Sequence, residues 1–126
     1  AATTPWVSSN PGLGNKAMLF FKQRQFPTLS MSEGVALKRN HPDICLMDVR
    51  TPREFAQGHL QGSINVPLQQ LHEVKNKMPD LQTSILVYCH SGSRSRRAAM
   101  TLQKYGYTSV KDLGGIMHWN GKQVKS

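Results

Sequence analysis

The chain has 126 residues, enough for one domain or one domain with an arm. Hydrophobic residues are 38% and charged residues 18% of it, which excludes a disordered or fibrous chain. The longest apolar runs, of about five residues, fall far short of the roughly 20 that a membrane-spanning helix needs. Sixteen Lys and Arg against seven Asp and Glu leave a net charge of +9, a field that favours anionic partners such as small oxyanions, nucleic acid or acidic membrane surfaces.

The excess charge lies in two stretches. Residues 1–32 carry Lys16, Lys22 and Arg24 and no acid. Residues 90–126 carry Arg94, Arg96, Arg97, Lys104, Lys111, Lys122 and Lys125 against Asp112 alone. Residues 1–14 are rich in Pro, Gly, Ser and Thr and read as a flexible arm. Residues 16–26 mix basic and aromatic side chains. Docking on a membrane surface or a partner is one reading of them. Packing of Leu19, Phe20 and Phe26 on the domain is the preferred one. The organisation expected is an arm over residues 1–27 and a domain over 28–126. The start Ala1-Ala2, without Met, fits a trimmed or excised chain, so the compartment stays open between cytoplasmic and exported.

From residue 28 the pattern is regular. Ser30 and Glu33 form a capping-box pair, predicting a helix to about Arg39 that stops at Asn40-His41-Pro42. Ile44–Val49 is a short apolar run bounded by turn residues, the pattern of a buried parallel strand. Pro52 opens a helical turn through Phe55 and Ala56, ended by Gly58. Ile64–Val66 is a second short strand, stopped by Pro67. Leu68, Leu71, His72 and Lys75 have helical spacing. Ser84–Tyr88 is a third strand, the most apolar in the chain. Ser95, Ala98, Ala99, Leu102 and Tyr105 then predict a helix, with Gly106 at its C-terminal cap. Val110–Leu113 is the last strand, and Gly114-Gly115 a tight turn. Strands alternating with helices predict an α/β fold whose mostly parallel sheet is covered on both faces.

Two cysteines cannot build a disulfide framework or a four-Cys zinc site. Cys45 sits in an apolar run and reads as a small buried thiol. Cys89 ends the third strand, and ligands of open parallel sheets bind beyond the carboxyl ends of the strands. The loop His90-Ser91-Gly92-Ser93 leads into a helix that starts near Arg94 or Ser95. Its backbone N–H groups, with a helix N-terminus behind them, make an anion cradle. Gly92 lets the loop turn, and Arg94 adds a fixed positive charge. Each effect favours a thiolate at Cys89, in a site expected to face solvent.

Residues 89–95, as C-H-S-G-S-R-S, resemble the active-site loop of the rhodanese family. Three further stretches resemble that family in order: Asp48 to Phe55, Gly58 to Pro67, and Leu113 to Ile116 with Trp119. The resemblance covers about residues 28–121. It implies a rhodanese-like fold with a central five-stranded sheet, and a single-domain sulfurtransferase. In that reading Cys89 attacks the outer sulfur of thiosulfate or of a persulfide or polysulfide, and a thiophilic acceptor removes the sulfur from the resulting persulfide. The amides of residues 90–95 hold the terminal sulfur, and Arg94 and His90 attract a dianionic donor.

The remaining motif residues read as support. Asp48 fixes a neighbouring loop by accepting N–H bonds, Arg50 and Glu54 are spaced to pair, His59 and Asn65 tie turns together, and Trp119 packs. A small anionic sulfur donor and a thiol acceptor are the partners expected, and a monomer the favoured state. No metal-ligand spacing and no nucleotide loop appears, so no cofactor is expected.

Two rival functions are weighed against this one. Cysteine phosphatases place Arg after five intervening residues, whereas four separate Cys89 from Arg94, a loop one residue short for a phosphate; arsenate-reductase-like chemistry is set behind with it. A non-catalytic binding or regulatory module would often have lost the Cys. Nucleic-acid binding is not expected, because no aromatic platform accompanies the basic residues.

Overall fold

A computed structural model describes residues 28–126; the arm and the packing expected of Leu19, Phe20 and Phe26 lie outside the described residues. The first helix, α1 (Met31–Asn40), opens with the expected capping box. Ser30 Oγ accepts from Glu33 N, and the Glu33 carboxylate accepts from Ser30 N, both at 3.1 Å. It closes where His41 N donates to Leu37 O at 2.8 Å, just before Pro42.

The sheet elements follow in the predicted order: β1 (Cys45–Asp48), α2 (Pro52–Gln57), β2 (Ser63–Asn65), β3 (Ile85–Cys89), α4 (Ser93–Lys104) and β4 (Val110–Gly115). Residues Leu68–Glu73 form a 3₁₀ turn rather than α-helix, because Gln70 leaves the helical region; one α-turn, α3 (Val74–Lys77), follows. A second 3₁₀ turn covers Ile116–His118.

The strands pair in the order β2-β1-β3-β4, every pair parallel. Among the described residues the sheet therefore has four strands, not the five expected. Among the described residues, one bridge lies beyond β4, Thr28 to Asp112. On the C-terminal side of that bridge Ser30 caps α1 two residues on, so the pairing runs no further in that direction.

β3 is buried along its whole length, because helices cover both faces of the sheet. Its side chains alternate between two cores. Ile85, Val87 and Cys89 join Val74, Ala98, Ala99 and Leu102 on the α3–α4 side. Leu86 and Tyr88 join Met31, Leu46 and Leu60 on the α1 side. Trp119 packs against the α1-side core, as expected.

The register of β4 slips between Val87 and Tyr88, so Leu113 is an extra residue. The bulge puts Gly114 at φ +81, a conformation glycine adopts without strain. Gly114-Gly115 is thus not a turn after the strand. It is the bulged end of β4 and lies beside Tyr88 and Cys89.

Chain order decides where a site can form. From β1 the chain moves out to β2, then returns to the other side of β1 for β3. The carboxyl ends of β1 and β3 flank the point where direction reverses, which leaves a crevice above them. Those ends are Asp48 and Cys89.

Candidate functional site

Cys89 is fully buried, a correction to the solvent-facing position expected. Its Sγ accepts the Gly92 N–H at 3.0 Å. Gly92 caps α4 at φ +114, which turns the chain back over the sulfur. Ser95 is buried and locks the turn, donating its Oγ–H to Gly92 O at 3.0 Å and approaching Gly114 O at 3.4 Å. His90, Ser91 and Ser93 are exposed, and Arg94 is half-buried. The loop rests on the end of β4 and the 3₁₀ turn after it, where Met117 N donates to His90 O at 3.1 Å.

Asp48 holds the adjoining loop, as expected, and does more. Its carboxylate accepts from Arg50 N at 2.9 Å, from Nε at 3.0 Å and from Nη2 at 2.6 Å. Arg50 Nη2 also donates to Gly58 O at 2.7 Å. Burial works against the Arg50 charge, but the hydrogen bonds and charge of Asp48 outweigh it and hold the guanidinium above its ordinary range. Removing the carboxylate strands a buried cation. Asp48→Ala is therefore expected to cost about 3–5 kcal/mol, read as a lowered urea midpoint; a loss below about 1 kcal/mol, the range of surface pairs, would refute the account.

The pairing of Arg50 with Glu54 does not occur. Glu54 instead binds Arg94 across 40 residues, through two bonds of 2.7 and 3.0 Å. Thr51 orients the carboxylate: its N–H and Oγ1 donate to Oε1 at 3.1 Å, the capping box of α2. The Thr51-x-x-Glu54 spacing carries that signal in the sequence; the link to Arg94 has no sequence signal.

Hydrogen bonding to Arg94 takes the Glu54 carboxyl down to about 2 against the opposing effect of burial, with Thr51 adding to the lowering. A depressed carboxyl contributes stability above its unfolded value near 4.5 and loses it as pH falls toward about 2. The stability difference between wild type and Glu54→Gln should be flat above about pH 5 and shrink below it. A difference that instead grows on acidification would be inconsistent with the pair.

His59 ties a turn, as expected. Its Nδ1 contacts Phe55 O at 2.7 Å and its ring stacks on Phe55 at 3.6 Å. Its backbone pairs with Val124 in both directions. Asn65 Nδ2 donates to Asp48 O and Arg50 O at 3.0 and 2.9 Å. Beside the Cys89 loop lies a cavity of about 370 Å³ whose wall includes Arg50, Glu54, His90, Ile116, Met117 and Gln123. Ile116 and Met117 are site residues that the periodicity did not reveal, because a 3₁₀ turn after the last strand has no apolar repeat.

Cys45 stands at the start of β1, paired with Ile85. Four residue steps along β3 lead from that register to Cys89, about 13 Å at strand rise. Burial pushes the Cys45 thiol up to about 12, the environment of an inert sulfur. Among the described residues no group of His, Cys, Asp and Glu is arranged to hold a metal ion, and no helix is long and apolar enough to cross a membrane.

A parallel α/β sheet that ends one strand in a buried Cys, under a loop entering a helix N-terminus, is the architecture of a nucleophilic-loop protein. Residues 32–122 match the Rhodanese-like domain family, and the chain belongs to it. It is 38% identical over 107 residues to the uncharacterized protein YqhL of Bacillus subtilis, covering 84% of this chain and 82% of that one. It is 39% identical over 71 residues to the thiosulfate sulfurtransferase PspE of Escherichia coli, covering 56% of this chain and 68% of that one. A solved structure of a rhodanese with anions from E. coli superposes with a TM-score of 0.61 at 35% identity, over 65% of this chain and 98% of that one. The chain is thus a sulfurtransferase-like enzyme.

Proposed function

We propose that the protein moves a sulfane sulfur from thiosulfate, or from a persulfide or polysulfide, to a thiophilic acceptor through a persulfide on Cys89. The observation that carries this is the Gly92 N–H aimed at Cys89 Sγ at 3.0 Å, where β3 runs into the twelve-residue helix α4.

The Cys89 thiolate attacks the outer sulfur of thiosulfate. The donor S–S bond breaks and its electron pair leaves with sulfite. Cys89 then carries the persulfide, whose terminal sulfur is anionic. The N–H groups of residues 90–95 and the positive end of the α4 dipole stabilise that charge. An acceptor thiolate or cyanide attacks the terminal sulfur, and the bonding pair returns to Cys89 as thiolate. Two half-reactions through one covalent intermediate give ping-pong kinetics.

His90, Ser91, Gly92, Ser93, Arg94 and Ser95 form the binding loop in this reading. Asp48, Arg50 and His59 support it at one remove, by holding the neighbouring segment 50–59. Residues 28–126 form the catalytic domain, and residues 1–27 an arm. The Arg94 fork is held by Glu54, which, with the short Cys-to-Arg spacing, favours sulfur chemistry over phosphate.

Intact mass after incubation with thiosulfate tests the proposal. The chain is expected to gain about 32 Da, one sulfur, which dithiothreitol removes. No adduct from thiosulfate or polysulfide would overturn it and leave a binding module.

A further inference from the structure

Two arginines beside the Cys89 loop, Arg50 and Arg94, are already bound to carboxylates of this chain. Arg50 Nη2 lies 2.6 Å from Asp48 Oδ2, and Arg94 Nη1 lies 2.7 Å from Glu54 Oε1. Two cations meet two anions, so these four side chains bring no net charge. Of the four, Arg50 and Glu54 line the adjoining cavity, one charge of each sign, and the rest of its wall is neutral amide and backbone, His90, and the apolar Ile116 and Met117. Met117 is 56% exposed, a free apolar surface next to the sulfur loop. The +9 of the chain is therefore not carried by the residues that line this cavity.

We propose that Glu54 sets donor specificity. By occupying the Arg94 fork it removes the preference for a dianion, so the site takes sulfur from monoanionic organic thiosulfonates and persulfides ahead of thiosulfate. The inference rests on the Cys89 reading above and narrows its donor class. A thiosulfate ion seeking the Nη1–Nη2 fork of Arg94 must displace a carboxylate that makes two bonds to it and is itself held by Thr51. Such a bidentate, charge-assisted contact is hard to displace. A donor with an organic substituent loses nothing by this and gains contact with Met117.

The chemistry balances for the monoanion. Thiolate attacks the outer sulfur of R–SO₂–S⁻, the S–S bond breaks, and its electron pair leaves on the sulfinate R–SO₂⁻. The Cys89 persulfide is the same as that from thiosulfate.

Methanethiosulfonate and thiosulfate are the matched probes, differing by one charge and a methyl group for an oxygen. Steady-state turnover with cyanide as acceptor is measured for wild type, Glu54→Gln and Glu54→Asp. Gln keeps the capping acceptor for Thr51, and Asp keeps the charge. The wild type is expected to favour methanethiosulfonate in kcat/KM. In Glu54→Gln the KM for thiosulfate should fall about fivefold as Arg94 is released, while that for methanethiosulfonate changes far less. The gain should vanish in about 0.5 M salt, where the screening length is about 4 Å. Glu54→Asp should restore the wild-type preference. A purely structural role would move both donors together and ignore salt. An unchanged or raised thiosulfate KM in folded Glu54→Gln overturns the inference. Wild-type protein that takes sulfur from neither donor overturns the Cys89 reading instead, so the two failures are told apart.

Discussion

Cys89→Ser is expected to lower thiosulfate:cyanide turnover by at least about 10³-fold while the domain stays folded. A serine hydroxyl is a weak nucleophile unless a neighbouring base activates it, and the contact to Cys89 Sγ is a backbone N–H from Gly92, which accepts no proton. Nor can an alkoxide at this position form a persulfide. The fold tolerates the change because Ser is smaller and its oxygen can accept the same N–H. Cys89 lies in the core shared by β3 and α4, so the swap of sulfur for oxygen still costs about 1 kcal/mol, a few degrees in Tm. The checks are turnover, intact mass after thiosulfate, and thermal melting on one preparation. Turnover retained in the variant would remove Cys89 from the mechanism.

Gly115→Ala is expected to have the largest structural effect at the site. Gly115 has φ −105 and ψ 137, ordinary extended backbone that alanine adopts freely, so the cost is steric alone. A Cβ there would lie 2.6 Å from Ser91 Cα and 2.8 Å from His90 C, and closer still to His90 O. These are backbone atoms that no rotamer can move. The loop must lift off β4, losing the Met117 N–H bond to His90 O and shifting Gly92 relative to Cys89 Sγ. Overpacking of this kind costs about 1–3 kcal/mol, and misplacing a reacting group by about 1 Å can cost on the order of 10²-fold in rate. Gly114→Ala is the control. Nothing lies within 4 Å of its Cβ position, but its φ is +81, so its cost is conformational, about 1–2 kcal/mol. Melting curves and turnover of the two variants separate these causes. A Gly115→Ala variant with wild-type turnover would show that the loop does not need this seat.

Local chemistry made much of the fold readable. The Ser30–Glu33 capping box, Pro52 at a helix start, and Gly106 at φ +106 beyond α4 are short-range features, each decided within a few residues. The apolar run ending at Cys89, followed by small residues and a helix, likewise located the candidate nucleophile, because a strand end, a loop and a helix N-terminus are consecutive in the chain. Spacing alone misled where partners were distant. Arg50 and Glu54, four apart, suggested a pair; each is taken by another residue, since the crevice between β1 and β3 brings Arg94 to Glu54 and folds Arg50 back onto Asp48.

By itself the amino-acid sequence determined the α/β alternation, the helix caps and the position of Cys89 before α4, because backbone preference, capping and hydrophobic period act over a few residues. Only the tertiary structure decided the strand order β2-β1-β3-β4, the bulge at Leu113, the close seat that Gly115 gives the loop, and the neutralisation of Arg94 by Glu54. Each of these depends on the register in which separate segments meet, and that register is settled by packing across the sheet rather than by the residues of any one segment.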